Sequence, residues 1–317
     1  MARYLVTGGA GFIGSNLAES LVKKGHFVRV LDNFSYGKRE NLKFAGGTGR
    51  IRLEIVKGDI RDKDICQKVT RGVDYILHHA ALRSVPQSLE NPDLYNDVNI
   101  KGTLFLLQAA LKNRVKRFVF ASSSAVYGNS TSFQQKEEHL PNPISPYGLT
   151  KLTGEYYCRI FSEVFGLETV CLRYFNVFGP RQSLDSEYAS VIPKFISSIL
   201  KNQQPPIFGN GKQLRDFVFV DNVVLANVLA AQAKNAGGGV FNIAAGESYS
   251  VLKIVAEINK ITGKSIGPKF FPKRPGDAFK TRADISKAGK ILKYKPCVSF
   301  KSGLQETVEY FQKNFHF

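Results

Sequence analysis

The glycine-rich segment Thr7–Gly14 constrains the fold of this chain more than any other part of its sequence. It reads Thr-Gly-Gly-Ala-Gly-Phe-Ile-Gly and lies between an apolar run, Tyr4–Thr7, and a helical pattern at 12–24. In this position glycines allow a tight turn, a close backbone approach to a pyrophosphate, and close packing of the helix on the strand. The N-terminus of the helix then offers free N–H groups to phosphates. The segment therefore predicts a dinucleotide site at the edge of a parallel sheet.

The first 180 residues alternate short apolar runs with longer helical patterns, which is typical of βαβ units. Further strands are predicted at Phe27–Leu31, Arg52–Lys57, Tyr75–His79, Arg117–Ser122 and Thr169–Phe175, and helices at 62–70, 94–113 and 147–165. Prolines and glycines then cluster at 205–211 and 263–276, and between them strands at Asp216–Val220 and Val240–Ala244 flank a helix at 222–234.

These patterns predict an α/β fold, a doubly wound Rossmann parallel sheet with a smaller C-terminal lobe. We expect residues 1–175 to form the dinucleotide-binding domain and residues 176–317 to form mainly the substrate-binding lobe. Segments near 216–245 are expected to return to the first domain, because they again read as strand, helix and strand.

The composition argues against several classes of protein. The chain has no run of about 18 apolar residues, and its first residues lead directly into a strand rather than a signal peptide. Its four cysteines are scattered, with no CxxC pair and no nearby histidine cluster, so neither a metal site nor a disulfide framework is expected. We expect a cytoplasmic protein that has no membrane partner.

The charge of the chain is strongly positive, with 44 Lys and Arg against 26 Asp and Glu and a formal net charge of +18. Residues 251–317 contribute 14 basic and 5 acidic residues, which is half of the surplus. A basic surface can bind nucleic acid. Since no nucleic-acid-binding motif accompanies the charge, we expect no nucleic acid partner and interpret the lysines as a solvated face that also favours a phosphate-containing substrate.

Acidic and small residues at the ends of predicted strands identify the cofactor. Asp32 ends the second strand, 18 residues beyond Gly14, where a carboxylate accepts hydrogen bonds from ribose hydroxyls and repels a 2′-phosphate. This favours NAD over NADP, with Arg39 interpreted as an exposed loop residue. Asp59 and Ala80–Ala81 follow the third and fourth strands, at the sheet edge where ligands bind in such folds.

Tyr147 and Lys151 are the candidate catalytic pair. They are four residues apart and so lie on one face of a predicted helix. A nearby cation favours phenolate, which predicts a lowered pKa for Tyr147 and a role as general base. Serines 122–124 end the fifth strand, and Ser123 is expected to hydrogen-bond the same substrate hydroxyl that Tyr147 deprotonates.

Together these motifs resemble the extended short-chain dehydrogenase/reductases, and within that family the nucleotide-sugar epimerases. The resemblance spans essentially the whole chain, and its other motifs are His-Ala-Ala at 79–81, Val126-Tyr127-Gly128, LRYFNVFGPRQ at 172–182, Arg215-Asp216 and Arg274-Pro-Gly-Asp277. Segments around Ser84, Tyr188–Lys194 and Ile207–Gly209 are most similar to UDP-N-acetylglucosamine 4-epimerases.

The resemblance implies which residues bind NAD and which bind a UDP-sugar. The implied NAD-binding residues are Gly8, Gly11, Phe12, Ile13, Gly14, Asp32, Asn33, Asp59, Ile60, His79, Ala80, Ala81, Leu82, Asn99, Ser122, Tyr147, Lys151 and Phe175. The implied UDP-sugar-binding residues are Arg83, Ser84, Ser123, Ser124, Tyr147, Asn176, Val191, Ile207, Phe208, Arg215, Arg274, Asp277 and Thr281. Arginine suits such a substrate, because guanidinium makes bidentate, permanently charged contacts with phosphate.

Among the reactions of this family, epimerisation at C4 fits the residues best. The 4,6-dehydratases resemble one another in carrying an Asp-Glu pair after the catalytic Ser or Thr, whereas this chain has Ser124 and Ala125. Thr281 stands where enzymes restricted to glucose and galactose resemble one another in having tyrosine, so the resemblance implies room for an N-acetyl group. Arg83 departs from the N-acetyl-specific pattern and would suit a uronic acid.

Two further expectations concern assembly and the alternative to an enzyme. The resemblance implies a homodimer in which helices 94–113 and 147–165 pair with their symmetry mates through Leu104, Phe105, Leu107, Leu111, Tyr156 and Phe161, although these side chains could equally face the sheet. A non-catalytic NAD-binding or RNA-binding scaffold is the alternative from another class, and the intact Ser/Tyr/Lys set argues against it.

Overall fold

A computed structural model of the chain describes residues 1–45, 52–128, 130, 132–184, 190–272 and 282–315. Its strands are β1 (Arg3–Thr7), β2 (Phe27–Asp32), β3 (Leu53–Lys57), β4 (Tyr75–His78), β5 (Arg117–Ser123), β6 (Gln134–Gln135), β7 (Thr169–Tyr174), β8 (Val177–Phe178), β9 (Pro206–Phe208), β10 (Leu214–Asp216), β11 (Val218–Phe219), β12 (Gly239–Ile243), β13 (Ser248–Ser250), β14 (Lys269–Phe271) and β15 (Arg282–Ala283). Its α-helices are α1 (Phe12–Lys23), α2 (Lys63–Thr70), α3 (Val85–Glu90), α4 (Pro92–Tyr95), α5 (Gly102–Lys112), α6 (Pro146–Glu163), α7 (Val191–Leu200), α8 (Val220–Gln232), α9 (Val251–Thr262), α10 (Ser286–Ile291) and α11 (Phe300–Asn314).

The centre of the fold is a seven-stranded sheet in the order β3-β2-β1-β4-β5-β7-β12. Every neighbouring pair in it is parallel, which confirms the predicted doubly wound Rossmann sheet. The strand order reverses between β1 and β4, and ligands bind in such sheets at the carboxyl ends of the strands around this point.

Helices cover both faces of this sheet, which explains why its strands read as nearly continuous apolar runs. One face packs against α1 and α8, and the other against α2, α5 and α6. Leu107 and Phe161 belong to the second of these cores, at 0% and 5% exposure. Of the two alternatives left open by the sequence, a dimer interface or the sheet, these two side chains face the sheet. None of the helices in the described parts of the chain is long and apolar enough to cross a membrane.

The C-terminal third contributes to two different layers. Helices α7, α9 and α11 surround a separate apolar core that includes Phe178, Ile207 and Phe300. In contrast, α8 packs on α1 and β5, and β12 pairs with β7 at the edge of the central sheet.

Two predicted elements differ from the structure. The predicted helix 94–113 is divided into α4, a π-helical segment over Asn96–Lys101, and α5, a change that apolar periodicity does not reveal. The predicted strand Asp216–Val220 is divided into β10 and β11, and Val220 begins α8. The strand partner changes here from β13 to β8, and the buried carboxylate of Asp216 accepts hydrogen bonds from the backbone N–H groups of Ala245 and Ala283, at 3.1 and 3.2 Å.

Candidate active site

A cleft of about 960 Å³ opens at the carboxyl edge of the central sheet, around the point where the strand order reverses. One wall consists of the β1–α1 turn and the residues that follow β2, β3, β4 and β5. The start of α6, residues 176, 177, 181–183 and 190 after β7, and Tyr310 of α11 also contribute to the lining. The sheet topology therefore brings together motifs that are more than 100 residues apart in sequence.

The glycine turn between β1 and α1 is shaped for close contact. Gly8 has a φ of +65°, and a Cβ atom there would lie 2.8 Å from the backbone nitrogen of Ala80. At Gly14, a Cβ atom would lie 2.2 Å from the carbonyl oxygen of Gly8. Helix α1 begins at Phe12 without a side-chain cap, so its first N–H groups can bind phosphate oxygens. This turn fits the pyrophosphate of a dinucleotide.

Asp32 stands at the ribose end of the cleft and is 7% exposed. Its carboxylate accepts hydrogen bonds from the backbone N–H groups of Ala10 and Phe34, at 2.9 and 2.8 Å. Burial raises the pKa of this carboxyl group above its usual value, and the two hydrogen bonds oppose the rise. The guanidinium of Arg39 lies 4.5 Å from the centre of the Phe34 ring. Arg39 is thus occupied by a loop contact.

Asp59 lies beside the ribose end, in a network of polar groups. It accepts hydrogen bonds from the side chains of Asn33, at 2.9 Å, and Arg61. The Arg61 hydrogen bonds are the main cause that lowers the pKa of Asp59 to about 2. Asp59 is therefore a fixed carboxylate at neutral pH.

Tyr147 lies in the first turn of α6, directly above the end of β5. Ser145 caps this helix by accepting a hydrogen bond from the Gly148 N–H at 3.1 Å. Burial raises the pKa of Tyr147, while a hydrogen bond with Ser123 and the positive charge of Arg83 act in the opposite direction. The predicted lowering of this pKa by Lys151 is therefore wrong for the protein without ligands, because burial dominates and the opposing cation is Arg83.

Lys151 lies one helical turn beyond Tyr147 and is 5% exposed. Its Nζ donates a hydrogen bond to the carbonyl oxygen of Ala121 at 2.8 Å and lies 5.0 Å from the centre of the Phe120 ring. Burial lowers the pKa of Lys151 to about 8. The ammonium is thus still mainly protonated at pH 7 and is held at the floor of the cleft.

The structure brings most of the predicted residues to the lining of this cleft. From the NAD set, these are Gly8, Gly11, Phe12, Ile13, Gly14, Asp32, Asn33, Asp59, Ile60, His79, Ala80, Ala81, Leu82, Ser122, Tyr147 and Lys151. From the UDP-sugar set, these are Arg83, Ser123, Ser124, Tyr147 and Asn176. The glycine turn, the uncapped helix N-terminus and the Asp32 carboxylate together fit NAD.

Two residues of the predicted NAD set support the cleft without lining it. Phe175 is 1% exposed and packs against Tyr127, with ring centres 6.1 Å apart. Asn99 is 2% exposed, and its side-chain amide bonds both backbone groups of Leu82, at 2.8 and 2.9 Å. These side chains hold the segments that line the cleft, and their predicted contact with NAD stays a prediction.

Several residues of the predicted UDP-sugar set also lie away from the cleft lining. Ser84 caps α3 and bonds the Tyr95 hydroxyl through its backbone. Ile207 is 1% exposed in the lobe core, Phe208 stacks on Phe271, and Arg215 donates to the carbonyl oxygen of Leu214. Val191 begins α7 and packs against the same lobe core. Arg274, Asp277 and Thr281 lie outside the described residues.

Other lining residues were not predicted from the sequence. Arg181 and Gln182 belong to the motif at 172–182, which was the signal that could have found them, and Tyr36 and Lys38 follow Asp32 in a loop without a pattern. Tyr174 also lines the cleft, and its hydroxyl bonds His79 Nε2 at 2.9 Å and Asn227.

Residues 4–244 match the model of the NAD dependent epimerase/dehydratase family. The chain belongs to this family. It is 39% identical to a putative UDP-glucose 4-epimerase of Methanocaldococcus jannaschii over 312 residues, which is 98% of each chain. It is an NAD-dependent enzyme, and the residues that line the cleft fit that cofactor.

Solved structures are similar over nearly the whole chain. A UDP-N-acetylglucosamine 4-epimerase from Methanobrevibacter ruminantium, in complex with UDP-N-acetylmuramic acid, is 41% identical with a TM-score of 0.94, and the match covers 99% of each chain. A UDP-glucose 4-epimerase from Thermotoga maritima is 38% identical with a TM-score of 0.91, and the match covers 98% of this chain and 99% of that one. The names of relatives vary, since a UDP-glucuronate 4-epimerase of Thermodesulfobacterium geofontis is 33% identical over 99% of this chain and 97% of its own.

Proposed function

We propose that this enzyme is a UDP-sugar 4-epimerase that interconverts UDP-GlcNAc and UDP-GalNAc through a transient 4-keto sugar. The observation that carries the reaction type is the placement of Tyr147, Ser123 and Lys151 beside one another at the sheet edge, next to the NAD-binding turn. Ser124 and Ala125 follow Ser123, so no carboxylic acid stands there for an elimination.

In the proposed mechanism, Tyr147 moves one proton in each direction. Its phenolate oxygen removes the proton of the sugar 4-hydroxyl. The 4-keto sugar then rotates about its bond to the diphosphate and presents its opposite face, and the phenol returns the proton to the C4 oxygen when C4 is reduced from that face. NAD, when bound, supplies a hydride acceptor that returns the same hydride, so the reaction causes no net oxidation. Ser123 hydrogen-bonds the sugar oxygen, and the Ser123 hydrogen bond and the Arg83 charge favour the phenolate form of Tyr147.

The choice of sugar rests on similarity and on the size of one residue. The structural relative with a TM-score of 0.94 is a UDP-N-acetylglucosamine 4-epimerase, and Thr281 is small where tyrosine would narrow the pocket. We further propose that Arg274, Asp277 and Thr281, together with Asn176, contact the UDP-sugar.

A UDP-uronic acid 4-epimerase is the second candidate function. Arg83 lines the cleft and its charge reaches the Tyr147 phenol, so a sugar carboxylate beside the reacting carbon would find a cation. The similarity to a UDP-glucuronate 4-epimerase supports this alternative. It makes the same use of Tyr147, Ser123 and Lys151.

The assembly and organisation are also part of the proposal. We propose a cytoplasmic homodimer, with residues 1–175 binding NAD and residues 176–317 forming mainly the substrate lobe, apart from the segments near 216–245. An exposed apolar stripe along α6 supports the dimer, namely Leu149, Tyr156, Ile160 and Val164 at 52%, 46%, 42% and 68% exposure.

A panel of UDP-sugars tests the proposed function. The purified protein is incubated separately with UDP-GlcNAc, UDP-glucose and UDP-glucuronic acid, without added NAD, and inversion at C4 is followed by chromatography of the products. We expect turnover of UDP-GlcNAc and NAD in the denatured supernatant. Preferred turnover of UDP-glucuronic acid would instead establish the second candidate. In a parallel incubation with added NAD, stoichiometric consumption of that NAD would contradict an epimerase.

A further inference from the structure

A buried ion pair lies directly beneath the proposed catalytic residues. Arg173 on β7 donates to the Glu155 carboxylate on α6 from Nε at 2.9 Å and from Nη2 at 2.7 Å. The two side chains are 4% and 5% exposed. The hydroxyl of Ser122 on β5 donates to the same carboxylate. One carboxylate therefore joins three elements of the fold, and we call Ser122, Glu155 and Arg173 the buried tie.

We propose that Glu155 is a positioning residue, which through the buried tie holds Tyr147 and Lys151 against the end of β5 without adding net charge beneath them. The inference rests on the proposed function, since it assigns a role in that reaction. It also changes the role expected for Ser122, which was predicted to bind NAD, because the Ser122 hydroxyl donates its hydrogen bond to Glu155.

The tie lies next to the reacting residues in each element that it joins, and Ser122 also lines the cleft itself. Tyr147, Lys151 and Glu155 are spaced by four residues along α6 and so follow one side of the helix. In the sheet, Ser122 is paired with Arg173, and the next pair in register is Ser123 with Tyr174. Both Ser123 and Tyr174 line the cleft. A shift of α6 relative to β5 and β7 would therefore move Tyr147 relative to Ser123.

Stability alone does not account for an ion pair at this place. Buried ion pairs can often be replaced by apolar side chains without loss of stability, whereas removal of one partner leaves an uncompensated buried charge. The contact also defines the geometry of α6, β5 and β7 relative to one another, because the planar guanidinium and the carboxylate fit together in one orientation.

The charges around the reacting groups show why the tie has to be neutral. The groups that face Tyr147 and Lys151 are His78, His79, Cys158, Arg83 and Tyr95. Burial lowers the pKa of both histidines, so they are uncharged at neutral pH. Glu155 without Arg173 would place a negative charge one helical turn from Lys151, and Arg173 without Glu155 would place a positive charge there.

The pair itself is faced by three further titratable groups. These are Tyr127, whose ring lies 4.7 Å from the Arg173 guanidinium, Glu137, and Cys171. Burial and the neighbouring Cys158 raise the pKa of Cys171, and burial raises that of Tyr127, so both groups are neutral. Burial also raises the pKa of Glu137, but its carboxylate is held by the backbone N–H of Asn242 at 2.8 Å. The substitutions below leave all three unchanged.

The test separates position from charge by comparing single and double variants of the holoenzyme. In Glu155→Gln/Arg173→Met both charges are absent, so the pKa of Tyr147 should match that of the wild type. The geometry of the tie is lost, so kcat should fall about 100-fold, the size expected for a displacement of about 1 Å. KM should remain nearly unchanged. The titration is measured as ultraviolet difference absorbance of phenolate against the matching Tyr147→Phe protein. A double variant that keeps wild-type kcat would overturn the proposal.

The single variants give opposite signatures. Glu155→Gln leaves an unpaired positive charge and should shift the titration of Tyr147 to lower pH. Arg173→Met leaves an unpaired negative charge and should shift it to higher pH. Each shift should be about one pH unit, as expected for a charge at about 10 Å in a partly buried site.

Ser122→Ala removes one hydrogen bond and no charge, so it should lower kcat without shifting the titration of Tyr147. It tests the tie even where a single-charge variant does not fold. Shifts of equal sign, or unchanged kcat in Ser122→Ala, would contradict the tie.

A matched control lies at the other end of the same two strands. Arg117 begins β5, is 7% exposed on its side chain, and forms an ion pair with Glu168, which precedes β7. Arg117→Met/Glu168→Gln should lower thermal stability but leave kcat unchanged. An equal loss of kcat in this control would show that any weakening of the sheet has the same effect.

The phenolate titration needs no turnover, so it separates this inference from the proposed function. A protein that shows the expected titration shifts without epimerising UDP-sugars would contradict the proposed function and leave the charge arrangement of the tie intact.

Discussion

On one wall of the cleft, the lining side chains follow directly from strands of the parallel sheet, whereas on the other they lie on loop residues that follow β7. Gly8, Ala80 and Ser123 belong to the first wall, each at the carboxyl end of a strand. Asn176 and Gln182 belong to the second. Asn176 has a φ of +24° and donates to the carbonyl oxygen of Asp216 at 2.8 Å. Gln182 is oriented by Val177 and Ser190.

This difference indicates that the sheet wall holds the reacting groups and that the loop wall recognises the sugar. A strand end is fixed by the hydrogen bonds of the whole sheet, which suits groups that must meet a reacting atom within a few tenths of an ångström. A loop is fixed by a few side-chain contacts, and a change there alters which ligand fits while the sheet remains intact. We therefore expect substitutions on the sheet wall to affect every substrate and those on the loop wall to discriminate among sugars.

The largest effect is expected from Tyr147→Phe, at the start of α6 beside the sheet wall. Without the phenol oxygen, no group at this place can take the proton of the sugar hydroxyl, and loss of a general base typically lowers the rate about 10²–10⁴-fold. Turnover of UDP-GlcNAc and UDP-glucose should fall by the same factor, while circular dichroism and bound NAD remain as in the wild type. Near wild-type turnover would remove Tyr147 from the mechanism.

Gly14→Ala tests the same wall at the cofactor turn. The new Cβ atom would lie 2.2 Å from the Gly8 carbonyl oxygen, so the turn must open. Overpacking of a close-fitting site costs about 1–3 kcal/mol, which corresponds to about 10–100-fold weaker NAD binding. The measurement is the NAD content of the purified protein and its Kd by calorimetry.

Gly267→Ala is the matched control in the C-terminal third. A Cβ atom at Gly267 would have no atom within 4 Å, so NAD content and activity should not change. If both variants retain NAD equally, close packing of the glycine turn does not determine cofactor binding.

The same contrast explains what could be predicted from the sequence. Asp32 and Ser123 were predicted correctly as lining residues because each ends an apolar run, and the direction of a parallel strand places its end at the cleft. Ile207 and Arg215 lie on strands of three residues, where no alternation indicates which side chain faces the core. The contacts that orient them are with β14 and β13, and sequence patterns do not contain such pairings.

Thr281→Tyr tests the selection among sugars that the family resemblance assigns to this position. The resemblance implies that a tyrosine ring here takes the space of an N-acetyl group, and overpacking by about 1–3 kcal/mol corresponds to roughly a 10–100-fold decrease in kcat/KM. We expect this decrease for UDP-GlcNAc and UDP-GalNAc and a much smaller one for UDP-glucose and UDP-galactose. Equal decreases for both pairs would show that position 281 does not select the N-acetyl group, and Thr281→Ser, which stays small, should leave both pairs unchanged.

The smallest effect is expected from Ile207→Val, which decides whether this residue contacts the nucleotide. The family resemblance includes Ile207 among the UDP-sugar-binding residues, but the structure places its side chain in the lobe core at 1% exposure. Loss of one buried methyl group should lower the free energy of unfolding by about 0.5–1.5 kcal/mol and leave KM unchanged. Urea unfolding and steady-state kinetics measure the two quantities.

Ile258→Val is the control, because Ile258 is fully buried in the same core on α9 and has no predicted contact with UDP. If the two variants lose similar stability and only Ile207→Val raises KM, the side chain reaches the nucleotide after all, and the lobe core and the loop wall of the cleft share this residue.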